Sequence, residues 1–394
     1  MTAKPRAPLV EKALWRVRNV ILPKPLRGAE AASVKGPLVV AGFFRTASGV
    51  GQSARACAAA LERHGRNPVC VDLSKTFNQV DIDAGRVLSA MPDDEAGILI
   101  LHVNAPETER ALFKLRLFRP RRWRIIGVWA WELGVAPQSW FPVARRLSEI
   151  WTLSGFVAAA FRDKAPAPVK VVAPFVAAPE SINVDRARLG AAESDVVCLA
   201  MADGRSSFAR KNLLAALRIF GAAAGANPNV RLIVKTRNVD EFPRFAEELR
   251  AAASHDARVL HLDGALSESE RWSLLAGADI FLSPHRSEGF GLALAEAMAL
   301  GKTVLATGWS GNLDFMTPEN AALIPFALVP VPDDVAVYGG VDRGALWAEP
   351  DEHAAADLLR GLLGQPARRA AIGAEARKTV RALLDGRRYL EALG

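Results

Sequence analysis

The chain has 394 residues, 50% of them hydrophobic and 23% charged, with a formal net charge of +8. That length fits two domains of ordinary size, and the composition excludes a disordered or collagen-like chain. Three cysteines (Cys57, Cys70, Cys198) without C-x-x-C spacing exclude a disulfide scaffold and a cysteine-type zinc site.

Residues 1–36 form a basic amphipathic extension. Residues 1–27 carry a local charge of +6, with Leu9, Val10, Leu14, Trp15, Val17 and Ile21 interleaved among the cations. Such a mixture suits an anionic bilayer surface, or a solvated basic face whose apolar residues pack inward. Residues 38–44 read as a strand, followed by a Ser/Gly turn, a helix over 51–64 and a second strand at 68–73. This βαβ opening implies a parallel sheet. Further strands are predicted at 97–103, 124–129, 149–153 and 168–173. A second basic cluster, local charge +7, occupies 110–124 and again alternates with bulky apolar residues, which argues against a nucleic-acid partner.

A Pro/Ala-rich stretch then leads to a second alternating series. Strands are predicted at 196–201, 230–236, 258–262, 279–283 and 303–307, and helices at 211–224, 241–253, 267–276 and 291–300, with further helices closing the chain. The expected architecture is α/β: two doubly wound Rossmann-like domains, 37–172 and 193–365, joined by a linker at 173–192 and followed by helices over 366–394. Ligands of such folds lie beyond the carboxyl ends of the strands, here in the central cleft. No uncharged apolar run approaches the ~18–20 residues that span a bilayer. No continuous apolar stretch opens the chain, so a cytoplasmic protein is expected.

Gly49-x-Gly51-x-x-Ala54 lies between a strand and a helix, and Asp72 follows Gly49 by 23 residues. This meets the dinucleotide fingerprint, but a tight turn or another phosphate-bearing ligand would use the same residues. Asp81-Ile82-Asp83 spells D-x-D without a preceding strand, and no metal site is expected from it. The strongest signal is SPHRSEGFGLALAEAM at 283–298. Glu288 and Gly289 precede a helix opened by Gly291, and Glu296 is the only charge on that apolar helix. A buried carboxylate needs a structural Arg or Lys, or the vicinal hydroxyls of a ribose. Glu288, in the loop above, is placed to accept hydroxyl hydrogens from a sugar. The N–H groups of Phe290, Gly291 and Leu292 would face a phosphate at the helix start.

The E-x7-E spacing inside SEGFGLALAEAMALGKTVLAT resembles the donor-site motif of family 4 glycosyltransferases, which are retaining GT-B enzymes, and GWSGNLDFM at 308–316 is also similar to that group. Residues 203–212 (DGRSSFARKN) resemble the segment whose lysine meets the donor pyrophosphate, which implies Lys211, with Arg210 and Ser206 beside it. Many members carry Arg where Ser206 stands, so the missing charge would come from Arg205 or Arg210. GVWAWE (127–132), Trp140, EIWTLSGF (149–156) and SGVGQSAR (48–55) resemble a bacterial polysaccharide-synthesis branch.

The resemblance covers roughly residues 38–385. It implies transfer of a sugar from a nucleoside-diphosphate sugar to a glycan or lipid-linked acceptor hydroxyl, in cell-surface polysaccharide biosynthesis. Retention of anomeric configuration is part of that implication, whereas independence of a metal cofactor is expected because Lys211 and the helix-start N–H groups can take over the work of a metal ion. The donor would be held by Gly49, Gly51, Ser206, Arg210, Lys211, Glu288, Gly289, Phe290, Gly291, Leu292 and Glu296. Where many relatives place a His followed by an Asp, this chain has Trp131–Glu132. Glu132 would then orient or deprotonate the acceptor hydroxyl, or be structural, and His102 is the other candidate. The tryptophans at 123, 129, 131, 140 and 151 either stack on sugars or build the core. The two basic clusters would place the protein at the inner face of the plasma membrane without spanning it, or are solvated faces whose apolar residues pack on the protein. An NAD-dependent oxidoreductase built on the first glycine turn, or a non-catalytic nucleotide-sugar-binding protein, are the alternatives.

Overall fold

A computed structural model describes residues 20–118, 120–333, 335, 338 and 344–394. Residues 1–19, over half of the basic amphipathic extension, therefore lie outside the described residues. The first sheet comprises β1 (Leu38–Gly42), β2 (Val69–Asp72), β3 (Ala96–His102), β4 (Arg122–Val128), β5 (Glu149–Thr152) and β6 (Val169–Val171). All its pairs are parallel, in the order β2-β1-β3-β4-β5-β6. The strands are short apolar runs because helices cover both faces. Leu99, Ile100, Leu101, Ile125 and Ile126 have no exposed surface. Trp123, Trp129 and Trp151 are equally buried, so these tryptophans build the core.

The second sheet comprises β7 (Val196–Asp203), β8 (Val230–Arg237), β9 (Val259–Leu262), β10 (Ile280–Ser283), β11 (Thr303–Thr307) and β12 (Ala322–Ile324). It too is wholly parallel, in the order β12-β11-β10-β7-β8-β9. Each sheet reverses its strand order once, between β1 and β3 and between β7 and β10. Those two reversals are where doubly wound sheets open a crevice.

Two elements differ from the sequence reading. Beyond residue 307 the chain was expected to be helical. Instead it adds β12 and then an antiparallel hairpin, β13 (Phe326–Pro330) with β14 (Leu346–Pro350). These strands are short and proline-flanked, so no alternating pattern betrays them. The hairpin carries Tyr338 and Trp347 into the core of the first domain. The closing helices Glu352–Gly364, Pro366–Leu383 and Arg387–Leu393 end by crossing back to that domain. There Tyr389 lies 6.1 Å from Trp151.

That crossing settles the basic stretch 110–124. Arg124 is buried, paired with Glu149, and donates to the carbonyls of Leu393 at 2.7 Å and Ala392 at 2.9 Å. Arg121 pairs with Asp93, Arg122 pairs with Glu30, and Arg110 lies over the Phe77 ring. Leu112, Leu115, Leu117 and Trp123 are core residues. Their apolar surface is taken up by the protein itself. Among the described residues no helix is long and apolar enough to cross a membrane.

Candidate active site

The second sheet's reversal holds the charged cluster. β7 runs into a single 3-10 turn, Gly204–Ser206, and a four-residue helix, Phe208–Lys211. Ser207 caps that helix by accepting from the Arg210 N–H at 3.2 Å, and Asn212, left-handed at φ 57°, ends it. The tight turn aims Arg210 and Lys211 beyond the strand ends. Arg210 is only 1% exposed. Its guanidinium donates to the Ser287 carbonyl at 2.6 Å and to the Ser206 carbonyl and hydroxyl at 2.9 and 2.6 Å. Arg205 instead turns to Glu241 at the surface. Of the two arginines that could stand in for the one absent at 206, Arg210 occupies the site.

Across from it, the loop after β10 presents Glu288, which is 6% exposed. Its carboxylate bonds the Lys211 ammonium and lies 3.1 Å from Arg210. Burial by itself would raise the Glu288 carboxyl, but Lys211 and Arg210 outweigh it and bring it to about 2. Burial lowers the Lys211 amine, with Glu288 opposing. The loop is fixed from behind by a buried polar network. The Glu288 N–H donates to Ser310 Oγ at 2.7 Å, and the Gly311 N–H to the Glu288 carbonyl at 2.9 Å. Asn312 meets His285 at 3.2 Å and donates to the Thr307 carbonyl at 3.1 Å.

The first domain closes directly on this loop. Ser287 Oγ donates to the Glu132 carbonyl, Ser154 Oγ to the Gly289 carbonyl at 2.5 Å, and the Gly155 N–H to Asp314 at 2.7 Å. A Cβ at Gly289 would overlap the Trp131 carbonyl, so glycine is required there by the approach of the two domains. The contact brings the Glu132 carboxylate to 4.0 Å from Arg210. Glu132, Ser206, Arg210, Lys211, Glu288 and Gly289 thus converge from three loops. Just beyond, the helix Leu292–Ala299 starts at Gly291 (φ 91°), and no side chain caps it. The first-turn N–H groups, which run from Leu292 onward, are therefore open to an acceptor from outside.

Glu296, 3% exposed, bonds Arg271 and also Gln52, which belongs to the N-terminal glycine turn. Burial raises this carboxyl, and Arg271 and Gln52 counter it. A structural arginine is therefore its partner in the closed chain. Beside it lies a cavity of about 270 Å³ lined by Gln52, Arg55, Phe175, Glu268 and Arg271. Neither Gln52 nor Arg271 was singled out from the sequence, since nothing local marks a partner on another domain (Gln52) or on another helix of the same domain (Arg271).

At the first sheet's reversal several groups are engaged by neighbouring ones. A Cβ at Gly51 would lie 2.5 Å from the carbonyls of Phe43 and Thr46, so packing of the turn demands this glycine. Gly49 has no neighbour within 4 Å of that position. Asp72 accepts from the Ser74 N–H and hydroxyl at 3.1 and 2.6 Å. That leaves it engaged and disfavours the ribose role the dinucleotide reading needs. Asp81 accepts from the Ala47 N–H at 2.8 Å and pairs with Arg237 at 3.0 Å. His102 has no exposed surface and meets Ser53 Oγ at 3.1 Å. Desolvation lowers it to about 3, and its Nε2 has no hydrogen-bond partner among the described residues. Trp131 is 6% exposed, donates to the Val135 carbonyl at 2.9 Å and packs on Trp140. It serves as a wall of the core.

Two Rossmann-like sheets facing a cleft, with the charged cluster at the second sheet's reversal, define the GT-B fold. Residues 197–339 match the family described as glycosyl transferases group 1. Among curated proteins, the chain is similar to a GDP-mannose-dependent monoacylated alpha-(1-6)-phosphatidylinositol monomannoside mannosyltransferase of Corynebacterium glutamicum. The two are 26% identical over 213 residues, 52% of this chain and 48% of the relative. The chain thus spans about half the length of that relative. Among solved structures, sucrose-phosphate synthase from Thermosynechococcus elongatus superposes with a TM-score of 0.64 at 16% identity, covering 91% of this chain and 97% of that one. HepE of Anabaena, solved in complex with UDP and glucose, gives a TM-score of 0.61 at 15% identity, covering 91% and 98%.

Proposed function

We propose that the chain is a glycosyltransferase that moves a sugar from a nucleoside-diphosphate sugar to an acceptor hydroxyl. The observation that carries this reading is the buried Arg210–Glu288–Lys211 cluster beside an uncapped helix start, at the reversal between β7 and β10. Lys211, Arg210 and the helix N–H groups would neutralise the charge that builds on the leaving diphosphate, and such preorganised donors supply the dominant catalytic term. No metal is needed in this scheme. Glu288 would hold the transferred sugar, and Glu296 the ribose after exchanging its present partners for hydroxyls. Glu132 would take the acceptor hydroxyl. A retaining outcome and a lipid-linked or polysaccharide acceptor follow from the family resemblance. The relative acting on a phosphatidylinositol mannoside supports the lipid-linked acceptor.

The test is isothermal titration of UDP, GDP and ADP and their sugars with EDTA present, followed by Glu296→Ala. Metal-free binding of one nucleotide, weakened about 10–100-fold by the substitution, is the expected result; that range is about 1.4–2.8 kcal/mol. Strict dependence on Mg²⁺, or unchanged affinity in the variant, would remove the donor site from this place. A turnover assay separates the enzyme from a non-catalytic binding protein. Attachment to an anionic membrane surface would rest on residues 1–36 and on the exposed Lys114 and Arg116 of the second cluster. Co-sedimentation with anionic but not neutral liposomes, lost at high salt, is the expected signature.

A further inference from the structure

Glu296, the carboxylate proposed above to hold the donor ribose, is already engaged in the closed chain. One of its oxygens accepts from the Gln52 amide and the other pairs with Arg271. The two partners differ in kind. Arg271 comes from the helix Glu268–Gly277 of the same domain and supplies the counter-charge that a buried carboxylate needs. Gln52 is neutral and lies in the first turn of the helix Gly49–Arg63, on the other domain. That turn is fastened by bonds that do not involve Glu296. Arg55, one turn further on, donates to the carbonyls of Phe44 and Thr46 at 3.0 and 2.8 Å. Asp81 accepts from the Ala47 N–H at 2.8 Å and pairs with Arg237 of the second domain at 3.0 Å. The backbone under Gln52 is thus held even when its side chain lets go. The cavity of about 270 Å³ is lined by Gln52 and Glu296 alike, so the amide has room to swing aside without repacking the core.

We infer that Gln52 is an autoinhibitory plug in the ribose seat, a side chain that the nucleoside must displace from Glu296 in order to bind. An ionised carboxylate only accepts hydrogen bonds, and the Gln52 amide and a ribose hydroxyl are both donors that compete for the same oxygen. The exchange of partners at Glu296 falls on Gln52, because losing Arg271 would leave the carboxylate buried without a counter-charge. The apparent affinity for a nucleotide is then the intrinsic affinity reduced by the fraction of molecules in which Gln52 has swung away. This role rests on the glycosyltransferase reading of Glu296. It also gives the first glycine turn a task of its own, which is to carry the plug across the cleft.

The experiment compares wild type with Gln52→Ala, a substitution that suits a helix and removes only the competing amide. Affinities for UDP, GDP and ADP are measured by isothermal titration, together with that for the 2′,3′-dideoxy form of the nucleotide that binds. Thermal melts confirm that both proteins are folded. The variant is expected to bind the nucleotide about 3–10-fold more tightly, which corresponds to Gln52 being seated in roughly two-thirds to nine-tenths of wild-type molecules. The dideoxy form, which brings no hydroxyls to Glu296, should show no such gain. Unchanged affinity in a folded variant would overturn the inference. So would weaker binding, which marks Gln52 as a contact to the donor, and so would an equal gain for the dideoxy form, which marks a general opening of the cleft. Neither protein binding any of the three nucleotides would instead bring down the glycosyltransferase reading, and this inference with it.

Discussion

Both sheets present a similar corner at their reversals: a glycine-bearing turn into a helix, with a carboxylate close by. In the first sheet several of the corner's groups are taken up by their neighbours, while Gln52 reaches across to Glu296. Backbone carbonyls fill the space beside Gly51, Ser74 takes Asp72, and Ser53 takes His102. In the second, Arg210 and Lys211 face Glu288, and the neighbouring helix start has no cap. The glycine turn alone carries little information about ligands, because a helix packed tightly on its strand requires the same residue. What distinguishes a binding corner is charge and hydrogen-bonding capacity that the chain does not use up locally.

The comparison breaks most readily at Glu288. Glu288→Gln should lower turnover by about 10²–10³-fold if the loop holds the reacting sugar. It also leaves Arg210 and Lys211 buried without their counter-charge, at a cost of about 3–5 kcal/mol. Steady-state kinetics and denaturant titration read the two effects separately, and near-normal values in both would dissolve the contrast. Glu132→Gln should cut transfer by about 10–100-fold, the lower range of a lost acid–base group, while nucleotide affinity stays within error. Full transfer activity would make Glu132 structural.

Gly51→Ala probes the first corner. The added methyl meets two backbone carbonyls, so about 1–3 kcal/mol of stability should be lost. Nucleotide affinity measured on the folded fraction should not change. A folded variant that no longer binds nucleotide would show that the first corner also takes phosphate. The smallest effect concerns His102, whose pKa falls from 6.5 to about 3 on folding. The unfolded chain binds its proton first, so the contribution is present above pH 6.5 and declines as the pH falls toward 3. The slope is at most about 1.4 kcal/mol per pH unit. His102→Gln should flatten that dependence in chemical melts between pH 6 and 4. An unchanged slope would assign it to other groups.

The succession of strands and helices was legible in the sequence because each element is a local pattern. Short apolar runs such as Leu38–Gly42 and Ile280–Ser283 can only be buried strands when alternating helices cover them. The E-x7-E segment was legible for the same reason: a lone carboxylate on an apolar helix announces an unmet need wherever that helix packs. What meets the need is not local. Gln52 and Glu296 are 244 positions apart, Glu132 and Ser287 are 155, and Lys211 and Glu288 are 77. Only the folding of both sheets and the closing of one domain on the other decided that Arg210 rather than Arg205 fills the cluster. Helix packing within the second domain put Arg271 on Glu296, and the closure of the domains brought Gln52 beside it. Hydrogen bonds and ion pairs act over a few ångströms of space, and sequence distance leaves that proximity undetermined until the chain has packed.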